Sequence, residues 1–181
     1  MLKTKDQLQK LAALTSVMLL AAAEALAQEN SLHSTRRIVI SIPDRKLAVT
    51  ESGQVIRIFS TAVGAPRTPS PSGSYQIVRR ISDPTWYTKG KIVPPGKANP
   101  LGTRWLGLSV KGYGIHGTNN PSSIGHNESH GCIRMRNRDV EQLFEMVAVG
   151  DTVELYTERT PELDKIFGAE LMAQAGPADG E

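Results

Sequence analysis

One cysteine stands in the 181 residues, so no disulfide can close within the chain. Apolar runs are scarce as well. The most prominent covers residues 11–23, and thirteen residues are too few to span a bilayer comfortably as a permanent helix. Aromatic residues make up only 5% of the chain, and no short run is densely basic with aromatics between the charges. Without such a run or a binding-fold signature, nucleic acid is excluded as a partner. No segment repeats. What remains is a length that suits one domain with one substantial core.

The first 27 residues read as an export leader. "MLKTKDQLQK" supplies three lysines, "LAALTSVMLLAAA" is the apolar stretch, and "ALA" at 25–27 offers small residues for cleavage. No cysteine follows the cut and no twin arginine precedes the apolar stretch, so neither a lipid anchor nor twin-arginine export is expected. The expected organisation is a signal peptide over 1–27, a linker over 28–35, a catalytic domain over 36–157 and a partly disordered extension over 158–181. The expected location is outside the cytoplasm, in the periplasm or cell envelope.

Charge is unevenly spread although the net value is only +3. Residues 36–136 hold 15 Lys+Arg against 4 Asp+Glu, or +11, and residues 137–181 hold 3 against 11, or −8. Two solvated faces of opposite sign would give this pattern. So would a site region that steers anionic substrates.

From residue 36 the chain reads mostly as strands. Residues 36–42, 46–51, 55–63, 74–81, 105–110, 113–117 and 151–157 alternate or are rich in β-branched residues, with turn residues between them. The loop "GAPRTPSPSG" (64–73) holds three prolines. Residues 82–104 hold four prolines and little periodicity, which suits a functional loop such as a lid. One helix is expected after the cysteine, with Asn137 as its cap and Val140, Leu143, Phe144 and Val147 as one apolar stripe. Asp139 and Glu141 suit its first turn, and a weaker helix follows Pro161. These residues describe a mainly antiparallel β domain with one main helix.

The lone cysteine sits in "SHGCIRM" (129–135), and a second His-Gly pair, His116-Gly117, lies 16 residues upstream of it. An exported chain usually carries cysteines in pairs. A single one is either a small buried residue or a reactive thiol, and these neighbours are not apolar packing residues. A thiol becomes a good nucleophile when a base lies within hydrogen-bond reach, and His116 is the natural base for Cys132. Gly131 permits tight backbone geometry before the cysteine, so the turn can present N–H groups to an oxyanion. Arg134 can lower the thiol pKa or bind a carboxylate. Zinc held by His116, His126, His130 and Cys132 is the rival, but H-x-C with distant histidines matches no common zinc pattern.

The stretch from "NPLGTRW" through "YGIHGTNNPSSIGHNESHGCIRMRNRDVEQLF" to "GDTVEL" closely resembles the YkuD-type L,D-transpeptidase catalytic domain. That is a peptidoglycan cross-linking family with a cysteine nucleophile. The likeness extends upstream to "IVISIPDRKLAVTESGQVIRIFSTAVG" and "TPSPSG", so it covers roughly residues 37–156. It implies a mainly β, β-sandwich-like domain of mixed sheets with one main helix after the cysteine loop. It implies Cys132 as nucleophile, His116 as general base and the Gly117 carbonyl as the group that orients His116. His130, Gly131 and Cys132 match the oxyanion turn. Arg134, Ser129 and Asn120 are expected at the substrate, Arg134 standing where other members carry asparagine.

The implied reaction breaks the bond before the terminal D-alanine of a peptidoglycan tetrapeptide stem, through a Cys132 thioester. A second stem as acceptor gives a 3→3 cross-link, a lysine of a wall-anchored lipoprotein gives a tethered protein, and water gives hydrolysis. No metal or organic cofactor is called for. A wall-peptide binding module without catalysis and a cysteine peptidase of another fold are the remaining alternatives.

Overall fold

The computed structural model describes residues 36–175. The expected leader 1–27, linker 28–35 and last residues 176–181 lie outside them. Three strands open the domain: β1 (Arg37–Ser41), β2 (Lys46–Glu51) and β3 (Gln54–Ser60), in antiparallel register as the turn residues suggested. Ser52 and Gly53 join β2 to β3 with φ of 50° and 78°, the two positive values that a tight hairpin of the right twist requires.

β5 (Gly73–Ser82) holds the sheet together. Its first residues pair with β12 (Thr152–Tyr156) and its later ones with β8 (Arg104–Leu108). The register slips between Ile77 and Arg79, and the skipped Val78 is 52% exposed. Such a bulge bends a strand and increases its twist. The eight strands run in the order β11-β9-β8-β5-β12-β1-β2-β3, with β9 at Gly114–His116 and β11 at Ile133–Arg134.

The mainly antiparallel expectation holds for six of the nine strand pairings among the described residues, and the other three are parallel. β1 pairs with β12, β9 with β11, and β4 (Val63–Gly64) with β10 (Asn127–Ser129), all in parallel. The mixed sheet implied by the family resemblance is what the structure has. Alternation within a strand reports which face is buried, not the direction of a partner far away in sequence.

β1 is buried on both faces, which explains its continuous Ile-Val-Ile run. Ile38 and Ile40 join the main core with Leu47, Val49, Ile77, Leu106, Ile115 and Ile133. Helix α1 (Asn137–Met146) closes that core with Val140 and Leu143. Val39 and Ala48 face the other way, onto Leu163 and Phe167 of α2 (Pro161–Ala175). The weaker helix expected after Pro161 therefore exists, and its i, i+4 apolar pair covers the outer face of the β1–β2 hairpin.

Residues 82–104 are not structureless. Trp86–Thr88 (β6) and Lys91–Val93 (β7) form a small hairpin around Gly90, whose φ is 74°. Asn99 organises the rest. It is fully buried, its Nδ2 donates to the carbonyls of Pro84, Val93 and Pro94, and its Oδ1 accepts from the Leu101 N–H. One carboxamide thus ties together four backbone groups of this segment, its two N–H donors shared among three carbonyls.

Candidate active site

The register of β9 against β11 decides which side chains meet. Ile115 lies beside Ile133, and both point into the core. Side chains alternate along a strand, so Gly114 and His116 point to the opposite face, and so do Cys132 and Arg134. His116 is directly opposite Arg134, and Cys132, one residue before Ile133, lies alongside Gly114. Gly114 contributes no side chain, and the Trp105 indole takes that space. Trp105, the partner of His116 on β8, fills the floor. Its ring stacks on the imidazole at 5.5 Å and 22°. A Cβ on Gly114 would lie 2.6 Å from that indole.

His116 is 5% exposed. Its Nδ1 is 2.6 Å from the Gly117 carbonyl oxygen. A carbonyl can only accept, so Nδ1 carries the proton and Nε2 keeps its lone pair. Burial drives the imidazole pKa down to about 4, Arg134 adds to the fall, and the backbone of Gly117 and Leu101 opposes it. Burial also raises the Cys132 thiol above its ordinary value, against the pull of the Gly114 backbone and the Arg134 guanidinium. The expected effect of Arg134 on the thiol is real in sign, but desolvation outweighs it. Free site groups are thus a thiol and a neutral imidazole.

The cysteine turn is held from several sides. Ser129 is 2% exposed, and its hydroxyl accepts from the Gly131 N–H at 3.0 Å and donates to the Cys132 carbonyl at 2.5 Å. Both bonds lie within the turn itself. Gly131 has φ of 107°, and a Cβ there would lie 2.6 Å from the Tyr113 ring. The proline-rich loop supports the turn too, since the Ala65 N–H and the Thr68 hydroxyl both donate to the Ser129 carbonyl. Ala62 exchanges two 2.9 Å hydrogen bonds with Arg134.

A cavity of roughly 580 Å³ opens beside the cysteine, lined by Cys132, Gly112, Trp105, Arg79, Trp86 and Tyr87 among others. The β6–β7 hairpin, in a stretch expected to be a loop, thus forms one of its walls. Asn120, expected at the substrate, does not line this cavity, and its Oδ1 accepts from the Ser122 hydroxyl. His126 and His130 are exposed, and among the described residues no three of His, Cys, Asp and Glu gather as metal ligands. Sequence reasoning missed Trp105, Arg79, Tyr113 and Asn137. Gly114 and Gly117, either side of Ile115 and His116, were the available signal for a tightly packed neighbour on that face.

Asn137 does not cap α1 as expected. Arg136 occupies the cap position without a side-chain bond. The Asn137 Oδ1 instead accepts from the Thr118 N–H at 3.0 Å.

A curled mixed sheet that carries a cysteine and a histidine on one face, the histidine oriented by a backbone carbonyl, defines the class: a mainly β domain with a thiol and an imidazole at one site. The comparisons place it more closely. The family model of the YkuD L,D-transpeptidase catalytic domain matches residues 35–155. The protein named L,D-transpeptidase YkuD from Bacillus licheniformis is 41% identical over 119 residues, covering 66% of this chain and 64% of that protein. YqjB from Bacillus subtilis, also named an L,D-transpeptidase, is 35% identical over 143 residues, covering 76% and 80%. An L,D-transpeptidase structure from Mycobacterium smegmatis superposes with a TM-score of 0.58 at 22% identity, over 68% of this chain and 59% of that one. The chain belongs to the YkuD family of L,D-transpeptidase catalytic domains. Among the described residues no helix is long and apolar enough to cross a membrane.

Proposed function

We propose that this protein is an exported L,D-transpeptidase of the periplasm or cell envelope that acts on peptidoglycan tetrapeptide stems through a Cys132 thioester. One observation carries the proposal: His116 has its Nδ1–H committed to the Gly117 carbonyl and its side chain on the same sheet face as the only cysteine. Nε2 is then the base. It takes the thiol proton as sulfur attacks the carbonyl carbon of the bond before the terminal D-alanine. The tetrahedral oxyanion is received by the His130 and Cys132 amides, because the Gly131 amide is committed to Ser129. Collapse breaks the C–N bond, and His116 returns its proton to the departing D-alanine amine. An incoming amine attacks the thioester, loses a proton to His116, and the thiol is restored.

In the resting state a lowered imidazole pKa and a raised thiol pKa make proton transfer uphill, so on this reading the transfer accompanies attack on the substrate carbonyl. With the imidazole pKa near 4, His116 is neutral and ready to accept at any envelope pH, and it becomes a strong acid once protonated. The Arg134 guanidinium forms no ion pair among the described residues and shares the face of Cys132, which leaves it free for a stem carboxylate. Arg79 lines the cavity itself, which Arg134 does not, and supplies a cation there. The acceptor is the side-chain amine of a second stem, giving a 3→3 cross-link, or a lysine of a wall-anchored lipoprotein.

Purified protein incubated with tetrapeptide stems tests this. Mass spectrometry is expected to find released D-alanine and a joined amine acceptor. Release of D-alanine without joining identifies a carboxypeptidase, and no release at all identifies a binding module.

A further inference from the structure

The Gly117–Thr118 peptide group is bonded at both ends. Its carbonyl oxygen accepts from His116 Nδ1 at 2.6 Å, and its N–H, on Thr118, donates to Asn137 Oδ1 at 3.0 Å. The facing atom on Asn137 must be the oxygen, because Thr118 N–H is a donor. The carboxamide is wedged in place. A Cβ on either Gly102 or Gly117 would overlap Asn137 Oδ1, so both glycines make room for this one side chain. Thr118 is itself buried. Asn137 is the first residue of α1, where an asparagine would ordinarily be read as a cap, yet it makes no cap bond. It does not line the cavity that holds Cys132.

We infer that Asn137 is a positioning residue for His116: through the Gly117–Thr118 peptide it fixes the carbonyl that selects the Nδ1–H tautomer and leaves Nε2 free towards Cys132. The inference rests on the reading of His116 as the base. The physical basis is that a glycine-containing peptide unit is free to rotate unless something holds it. Here the holder is a single side-chain acceptor on the far side of the plane. Rotation of that plane would withdraw the Gly117 oxygen from Nδ1, and a neutral imidazole without that acceptor has no reason to keep its proton there. Hydrogen bonding at one end of an amide also strengthens the other end, so the carbonyl is a better acceptor while Asn137 is in place. The arrangement does for His116, through one intervening peptide, what an asparagine or aspartate side chain does directly in other cysteine and serine sites.

The test uses the mature chain labelled with 15N-histidine. In the parent, the ring nitrogens of His116 at neutral pH are expected to report the Nδ1–H tautomer alone. In Asn137→Ala the tautomers are expected to mix, and acylation of Cys132 by a β-lactam of the carbapenem type to slow about 10- to 100-fold, the range for losing an outer partner of a working histidine. The fall is expected in kcat rather than KM, because Asn137 is not in the substrate cavity. Asn137→Asp keeps an oxygen at the same place and is expected to retain the parent tautomer and to acylate at least ten times faster than Asn137→Ala. A folded Asn137→Ala with the single Nδ1–H tautomer and the parent rate overturns the inference. An Nε2–H tautomer in the unsubstituted protein overturns it without any variant, so the test survives if Asn137→Ala does not fold. Failure of the base assignment looks different: His116→Ala would then acylate normally, whatever the ring tautomer in the parent.

Discussion

Burial of His116 should make the protein lose stability in acid, by an amount that can be worked out. The folded imidazole titrates near 4, and burial is the main cause. In an unfolded chain it would titrate near 6.5. Between those values the unfolded chain binds the proton and the folded chain does not, so stability falls as the pH falls. The contribution is intact above about pH 6.5 and is fully lost below about pH 4. From pH 7 to pH 4.5 the loss from this one group is roughly 2 kcal/mol. Carboxylates titrate over the same range, so the comparison must be with a variant. His116→Gln keeps a polar side chain of similar length and removes the titration. Urea unfolding followed by circular dichroism at pH 7 and pH 4.5 gives the four stabilities needed. The parent is expected to lose about 2 kcal/mol more than His116→Gln over this interval. Equal losses in the two proteins would refute the claim that His116 is held neutral.

His116→Ala is expected to slow Cys132 acylation by about two to four orders of magnitude, and His126→Ala to leave it near the parent rate, both read by stopped-flow with a carbapenem. Arg134→Lys keeps the charge and loses the planar fork. Transfer from stems is expected to fall while alkylation of Cys132 by iodoacetamide stays near the parent rate, and a parallel fall in both would place Arg134 in service of the thiol. Gly114→Ala puts a methyl 2.6 Å from the Trp105 ring and 2.7 Å from the Leu106 carbonyl. It is expected to cost about 1–3 kcal/mol in urea unfolding and to disturb His116, which stacks on the same indole.

Much of the fold was legible because its pieces are local. The β1–β2–β3 meander follows from alternating apolar residues and from "PDR" and "ESGQ", and α1 follows from one apolar stripe. The pairing of β1 with β12 was not legible, because nothing in either strand names a partner at the other end of the domain. β10 and β11 have three and two residues, too few for any period to show. The β6–β7 hairpin carried a signal, Trp-Tyr-Thr and Lys-Ile-Val around Gly90, that the surrounding prolines obscured. At the site, Cys132 and His116 stood out by residue type and spacing. Ser129 and Asn120 are expected at the substrate; in the fold the Ser129 hydroxyl bonds within its own turn, and Asn120 does not line the cavity beside Cys132. Asn137 looked like a helix cap, and only the fold brings Thr118 and two glycines around its carboxamide.

The central claim is a covalent thioester at Cys132, and intact-mass spectrometry of the protein mixed with a tetrapeptide stem, without an acceptor, tests it most directly. The account predicts an added mass equal to the stem less its terminal D-alanine, located on the peptide that contains Cys132, with free D-alanine in equal amount and neither product from Cys132→Ala. D-alanine release by folded Cys132→Ala, or an adduct on any other residue, would contradict it.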